Sequence, residues 1–252
     1  MKRFFYILLA FSILLSACRN HDNDIVIEGD FQGGGNALVR LRLVGVNETV
    51  GLDSVHMKNG HFAFTVRSTD EESEKRASTP MLYQLQLSEN NALKTIAKGG
   101  DHLYFTANAD KIASFYHVKG SEDAVLCAQL DSALSVFIQK AEEWYVVYQQ
   151  NMENDEVRAG IDSNYMQAVE AHTAYLKDFV QKHPESLSTF MAFYQSYNRR
   201  FFLNTEENFG MLENIVQNLK QKYPENPYVV FMQERINLIK FKKAQEKRHD
   251  TH

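Results

Sequence analysis

Cysteine is scarce in this sequence, and its two cysteines, Cys18 and Cys127, lie far apart in the chain. The absence of a Cys-x-x-Cys pair excludes a dithiol redox centre built from these residues alone. Free cysteine is among the most buried residue types, so we expect Cys127 to be a small apolar side chain inside the fold. The alternative is an exposed, reactive thiol that pairs with another chain.

Basic charge is also in deficit. The chain has 27 lysines and arginines against 32 aspartates and glutamates, which gives a formal net charge of −5. Binding to nucleic acid needs a basic face that displaces counterions from the phosphates. We therefore expect no nucleic-acid partner.

Long apolar runs are absent after the first seventeen residues. Lys2 and Arg3 precede a mostly apolar stretch, residues 4–15, which is shorter than the roughly 20 residues of a membrane-spanning helix. This pattern is typical of a secretory signal. Leu-Ser-Ala-Cys at residues 15–18 resembles the bacterial lipobox, in which the cysteine is acylated and the preceding peptide is removed. The resemblance implies a signal peptide over residues 1–17 and a lipid on Cys18; the alternative is an ordinary signal with an incidental cysteine.

Residues 18–24, "CRNHDND", are polar after the cysteine, and we interpret them as a flexible tether. The expected partner at this end is a membrane, held through the lipid anchor and not spanned. Asp22 and Asp24 form a weak version of the acidic cluster that sends some Gram-negative lipoproteins to the cell surface. We expect a place in the cell envelope, at the outer membrane, facing either the periplasm or the exterior.

Residues 25–120 alternate between apolar and polar side chains, as in "HFAFTV" (61–66) and "MLYQLQL" (81–87). A period of two indicates strands with one wet face, which favours antiparallel pairing. Asn-Gly within "KNGH" (58–61) predicts a tight hairpin turn. The three glycines at 33–35 precede neither a lysine nor a helix start, so we predict a turn and not a phosphate loop. The expected fold is an antiparallel β-sandwich or barrel-like domain of seven or eight strands.

Residues 121–246 change to a period of three to four, which indicates α-helices. Ser121 can cap the first helix, and the second should end at His183, before a proline. A short helix, one that begins near Asn204, and one that begins at Pro227 complete the expected set of five. The chain is therefore α+β, with a β-domain followed by a helical bundle. We expect the charged residues 247–252 to be a disordered tail.

Five segments together resemble a known arrangement, and they are "IEGDF", "VRLRL", "DSVHMKNGHFAF", "MLYQLQL" and "HPESLSTFMAFYQ". They resemble the uncharacterised amino-terminal β-domain and helical segment of Gram-negative lipoprotein thiol-disulfide oxidoreductases. In that family a thioredoxin-like domain of the AhpC/TSA type follows and carries the Cys-x-x-Cys. This sequence ends where such a domain would begin, so the resemblance implies a fold and no catalytic residue.

The residues that could carry chemistry form no catalytic or metal-binding pattern. Structural metal sites need three or four ligands, and the histidines of the first half are dispersed along the chain. Ser54 lacks the glycine-flanked elbow of hydrolase nucleophiles. The pair Glu142–Glu143 lies on a predicted helix side with no sign of a cleft. We expect no catalytic residue, no metal and no cofactor.

The segment "FMAFYQSYNRRFF" (190–202) is the most aromatic part of the chain, and we interpret it as a helix. Such a helix cannot bury every ring on one side, so it is either a central buried helix or an exposed surface that docks a partner. The possible partner surface consists of Phe193, Tyr197, Arg199, Arg200 and Phe201.

Three functional hypotheses follow. The first is a lipid-anchored envelope lipoprotein that acts as a non-catalytic binding or docking module for an unknown envelope protein or glycan. The second is an accessory component of a thiol-disulfide redox system, which would use Cys127 with a separate thioredoxin-like protein. The third is a remnant of a longer gene that has lost its redox domain.

Overall fold

A computed structural model describes residues 23–68, 73–74 and 77–249. The predicted signal peptide, the lipidation site Cys18 and most of the predicted tether lie outside the described residues. The protein is α+β, as predicted. Eight strands come first and form two four-stranded sheets, and five helices follow.

The strands account for most of the first half of the chain. In order they are β1 Ile25–Gln32, β2 Leu38–Val44, β3 Thr49–His56, β4 His61–Val66, β5 Met81–Ser88, β6 Asn91–Ala97, β7 His102–Asn108 and β8 Tyr116–Lys119. The first sheet has the order β4-β1-β7-β8, and the second has the order β3-β2-β5-β6. The sheets do not join into a closed barrel, so the barrel-like alternative is wrong.

One strand pair departs from the antiparallel prediction. β1 and β7 run parallel, with Ile27 opposite Leu103, whereas the other pairs in both sheets are antiparallel. Alternation of side chains specifies the buried face of a strand but not the direction of its partner. Gly29 lets the two strands approach, because a Cβ there would lie 2.2 Å from the carbonyl oxygen of Phe105.

The Asn-Gly turn forms as predicted, but it does not make a hairpin within one sheet. Asn59 and Gly60 have φ of 55° and 89°, and Lys58 and His61 exchange backbone hydrogen bonds of 2.9 and 3.1 Å. Beyond this bridge β3 joins the second sheet and β4 joins the first. The dipeptide specifies the reversal of the chain, whereas the choice of neighbour depends on residues far away in sequence.

A single cluster of buried side chains draws on both sheets. Leu41 and Leu85 of the second sheet are fully buried with Phe105 of the first, and the rings of Phe31 and Phe62 lie 4.7 Å apart. Burying one such side chain contributes about 1.5–3 kcal/mol, so this cluster is the main source of stability in the β half.

The five helices are α1 Glu122–Gln150, α2 Asp155–Lys182, α3 Ser188–Phe193, α4 Phe209–Lys222 and α5 Pro227–His249. The predicted number and order are confirmed. Asn154 caps α2 by accepting a hydrogen bond from the Val157 amide, and α2 ends just before Pro184. α5 continues to His249, so the prediction of a disordered tail is wrong for residues 247–249, and residues 250–252 lie outside the described part.

The aromatic segment 190–202 is not one helix, which corrects the prediction. α3 ends at Phe193, and two short strands follow, β9 Ser196–Tyr197 and β10 Arg200–Phe201. The turn between them has positive φ at Asn198 (48°) and Arg199 (65°), as a tight hairpin requires. Aromatic spacing suggested a helix, but the turn geometry reverses the chain instead.

The β half and the helices pack together as one body. Ile96 of β6 belongs to the buried cluster of the helices. The Asn226 side chain donates to Thr79 Oγ1 at 3.0 Å and to the Pro80 carbonyl at 2.8 Å. The Tyr228 hydroxyl accepts from the Leu82 amide at 3.1 Å and donates to the Val44 carbonyl. Among the described residues, no helix combines the length and the apolar content needed to cross a membrane.

Candidate functional site

The far ends of α1 and α2 contribute nothing to the core. The last buried residue of α1 is Ala141, and the first buried residue of α2 is His172. No residue between 142 and 171 is buried. α1 has 29 residues and is about 43 Å long, so a large part of it extends past the core. We call residues 142–171 the tip.

An aromatic cleft of about 480 Å³ lies where the tip meets the β9–β10 hairpin. Its aromatic side chains come from three elements: Trp144, Tyr145 and Tyr148 from α1, Tyr165 from α2, and Tyr197 from β9. Positions three and four apart share one face of a helix, which is why the three α1 rings point towards the same space. Clefts of this size accommodate small ligands.

A buried aromatic cluster supports the floor of the cleft. The Phe137 ring lies 5.5 Å from Tyr197 in an edge-on contact and 6.0 Å from Tyr165, measured between ring centroids. It also lies 5.0 Å from Phe202 in a second edge-on contact. Offset and edge-on contacts are the preferred arrangements of aromatic pairs. Two of the rings that line the cleft are therefore held by packing from below.

His172 extends this support by a hydrogen bond. Its Nε2 lies 2.6 Å from Oε1 of Gln195, and the Gln195 amide nitrogen donates to the Leu130 carbonyl at 3.2 Å. Since Oε1 is an acceptor, Nε2 of His172 must carry the proton and donate. Burial lowers the pKa of His172, although the Gln195 hydrogen bond acts in the opposite direction. The imidazole is therefore a neutral structural group.

The rim of the cleft is polar. It has the carboxylates of Glu142 and Asp162 and the amides of Gln149 and Asn198. These groups offer several acceptors and donors around flat apolar ring faces. The arrangement suits a ligand with many hydroxyl groups and exposed C–H faces.

Arg158 lies over the Tyr148 ring and positions it. Its guanidinium carbon lies 5.9 Å from the centroid of the Tyr148 ring, and the side chain also pairs with Asp155. The Asp155 and Tyr148 interactions raise the pKa of Arg158, so it remains a cation. A cation over a ring restricts the ring orientation, which prepares Tyr148 for a ligand on its open side.

The structure separates the residues of the predicted partner surface. Phe193 is 0% exposed, so it belongs to the core and its inclusion in the surface was wrong. Arg199 in the hairpin turn and Arg200 in β10 are exposed, and Phe201 is 53% exposed. The Phe201 ring lies 6.3 Å from the Tyr194 ring, measured between centroids. Of these five residues, Tyr197 alone lines the cleft.

The sequence analysis missed most of the cleft. Trp144 and Tyr148 continue the helical period of α1, yet they line the cleft and are only half-buried. Glu142 was assigned to a plain helix side, and it lies at the rim. The available signal was local: Trp144, Tyr145 and Tyr148 crowd the last turns of α1.

Cys127 is fully buried, as expected for a small apolar side chain inside the fold. Its Sγ lies 3.4 Å from Sδ of Met191. Burial raises the pKa of the thiol well above its usual value, and the charges of Asp131 and Asp123 add to this. Only the thiolate is an effective nucleophile, so this cysteine is both inaccessible and unreactive. The exposed thiol required by the redox hypothesis is not present at this position.

Two histidines of the first sheet form exposed pairs with acidic residues. His61 Nδ1 lies 3.0 Å from Asp30 Oδ1, and His102 Nε2 lies 2.7 Å from Glu28 Oε1. Exposed pairs of this type contribute little to stability. Within the described residues, no three His, Cys, Asp or Glu side chains lie together in a way that could hold a metal ion.

Asp131 is a half-buried acid outside the cleft. Burial raises its pKa to about 7, although the Tyr116 hydroxyl, which donates to it at 2.9 Å, and Lys94 both act to lower it. It lies one turn after Cys127, behind β8, and has no contact with the tip.

Comparison of the chain with protein families, curated proteins and solved structures finds no match.

Proposed function

We propose that this protein is a lipid-anchored envelope lipoprotein whose body is a non-catalytic binding module, and that its aromatic cleft binds a glycan. The body would be a β-sandwich of the two sheets supported by a helical bundle. The observation that carries the proposal is the set of five aromatic side chains around one cleft with a carboxylate and amide rim.

The chemistry of the cleft favours a sugar. A pyranose ring has an apolar C–H face that can stack on a flat aromatic ring and hydroxyl groups that bond to carboxylates and amides at its edge. Tyr145 is 65% exposed, so the cleft is open enough for one segment of a longer chain. Arg199 and Arg200 are exposed in the neighbouring hairpin and add positive charge outside the cleft.

The anchor belongs to the proposal through the lipobox resemblance at residues 15–18. Mass spectrometry of the protein purified from membranes tests it directly. We expect a mature chain that begins at Cys18 and carries acyl groups. An unmodified Cys18 would overturn the anchor but would leave the cleft proposal standing.

Binding is tested with the mature chain carrying Cys18→Ser, screened against acidic and neutral polysaccharides. We expect retention of at least one glycan, and we expect Trp144→Ala to weaken its binding by tenfold or more, since hot-spot aromatics typically contribute above 1.4 kcal/mol. Phe241→Ala is the matched control, because Phe241 is also an exposed ring (61%) but lies on α5. That variant should bind as the parent does.

Two results would overturn the glycan proposal. The first is no retention of any polysaccharide. The second is preferential binding of choline, because aromatic rings beside carboxylates also recognise quaternary ammonium groups. Release of new reducing ends would overturn only the non-catalytic part of the proposal, since Glu142 and Asp162 would then act in hydrolysis. The redox hypothesis is not favoured by any contact of Cys127.

A further inference from the structure

A second cavity, separate from the aromatic cleft, lies between the second sheet and the helices. It has a volume of about 290 Å³ and opens between the β2–β3 loop and α5. Ile96 of β6 and Met232 of α5 are buried in its wall, and Phe190 and Met191 of α3 are half-buried there. At about 30 Å³ for each water-sized group, the space admits about ten non-hydrogen atoms.

The wall is apolar and adaptable. Two methionines contribute flexible thioether side chains, which adjust to ligands of irregular shape. Tyr228 also lines the cavity, but its hydroxyl is already engaged with the Val44 carbonyl and the Leu82 amide. Tyr228 therefore offers its ring to a ligand and keeps its polar atom in the protein.

The only charged group among the described residues at the mouth of the cavity is positive. Arg235 lies there and forms no ion pair with any described residue, and no aspartate or glutamate lines the cavity. The Tyr194 hydroxyl, beside it, contacts only Met232 Sδ at 3.8 Å, and thioether sulfur is a weak acceptor. A guanidinium and a nearly unsatisfied hydroxyl thus face the opening of an apolar space. In a chain of net negative charge, this local arrangement is a site complementary to an anion.

We propose that this cavity binds an amphiphile with one short apolar chain and an anionic head, a carboxylate or a phosphate. The chain lies between Ile96 and Met232, and the head accepts hydrogen bonds from Arg235 and Tyr194. The site does not depend on the glycan proposal, because the two cavities share no residue.

The test is calorimetric titration of the mature chain carrying Cys18→Ser with four ten-carbon probes below their micelle concentrations. These are decanoate, decyl phosphate, decanol and decyltrimethylammonium. We expect decanoate or decyl phosphate to bind about tenfold more tightly than decanol, and the cation to bind least; the tighter of the two anions identifies the head group. Equal binding of anion and cation would overturn the proposal.

Three variants locate the site. Arg235→Gln should weaken decanoate binding about tenfold and leave decanol unchanged, whereas Arg200→Gln, in the hairpin, should leave both unchanged. Val46→Trp at the rim should block both probes. Trp144→Ala should bind decanoate as the parent does, which separates this site from the aromatic cleft. Decanoate binding that is insensitive to Arg235→Gln, or lost in Trp144→Ala, would overturn the assignment.

Discussion

The two ends of the α1–α2 pair share one sequence period but have different surroundings. Near the core, α1 packs against β6, β8 and α3, and α2 packs against α1 and α3. At the tip, the same period continues with Trp144, Tyr148 and Tyr165, which surround a cleft. The difference teaches that helical periodicity identifies a shared face but not what covers it. In this protein we infer that the covered end serves the fold and the uncovered end serves the ligand.

The largest expected effect compares one aromatic residue from each environment. Phe193→Ala should reduce the free energy of unfolding by about 3–5 kcal/mol, because it leaves a cavity in a fully buried site. Tyr145→Ala should change it by no more than about 0.5 kcal/mol, since that ring is exposed. Denaturant titration measures both. Similar losses in the two variants would contradict the division between core end and tip.

The next largest effect is on glycan binding, and its measurement requires that the tip contributes little to stability. Tyr165→Ala should weaken glycan binding tenfold or more, whereas Tyr165→Phe should retain most of it, because the ring face makes the contact. Both variants need a thermal melt as a control, since Tyr165 also touches Phe137. A parallel loss in the two variants would mean that the hydroxyl, and not the ring, carries recognition.

His172, the first buried residue of α2 after the tip, should make the stability of the protein depend on pH. Burial lowers the pKa of His172 in the folded protein, whereas the unfolded chain keeps a value near 6.5. Below about pH 6.5 the unfolded state binds the additional proton, so His172 reduces stability as the pH falls, by up to about 1.4 kcal/mol per pH unit. His172→Gln should remove this slope between pH 7 and pH 5.5, measured by denaturant titration.

Asp131 acts in the opposite direction and must be controlled. Its pKa is raised to about 7 in the folded state, so between the unfolded value of 3.8 and pH 7 the folded protein binds more protons and gains stability as the pH falls. The His172 comparison is therefore best made in an Asp131→Asn background. An unchanged slope in His172→Gln there would show that the imidazole is not desolvated.

The smallest expected effect lies in the hairpin beside the cleft. Arg199 has a φ of 65°, which is unfavourable for a residue with a Cβ. Arg199→Gly creates an Asn-Gly turn and should increase the free energy of unfolding by about 0.4–1 kcal/mol. Thermal melts measure this change. A loss of stability would mean that the Arg199 side chain has a structural contact that outweighs its backbone strain.

Local signals in the sequence were sufficient for much of the fold. Alternation predicted the strands, Pro184 and Pro227 marked helix limits, and Asn59–Gly60 predicted a turn. These features depend on neighbouring residues, which the sequence displays directly. The parallel pairing of β1 with β7 was missed because it joins residues far apart in the chain.

The cleft was only partly predictable for the same reason. Tyr197 was identified from aromatic composition, but the sequence could not place it beside α1 and α2. Phe193 was wrongly grouped with the exposed residues. It is the last residue of α3 and is buried, whereas the exposed hairpin begins only a few residues later. Burial depends on the assembled fold, so a local sequence pattern does not predict it.

Asn226 and Tyr228 have a consequence for any attempt to divide this protein. Both side chains form hydrogen bonds with backbone groups of the sheet half, at residues 44, 80 and 82. A fragment that stops after β8 would leave those amides and carbonyls open to solvent and uncover Ile96 beside them. The sheet half therefore depends on Asn226 and Tyr228 to satisfy its backbone groups. We expect the protein to melt in a single cooperative transition.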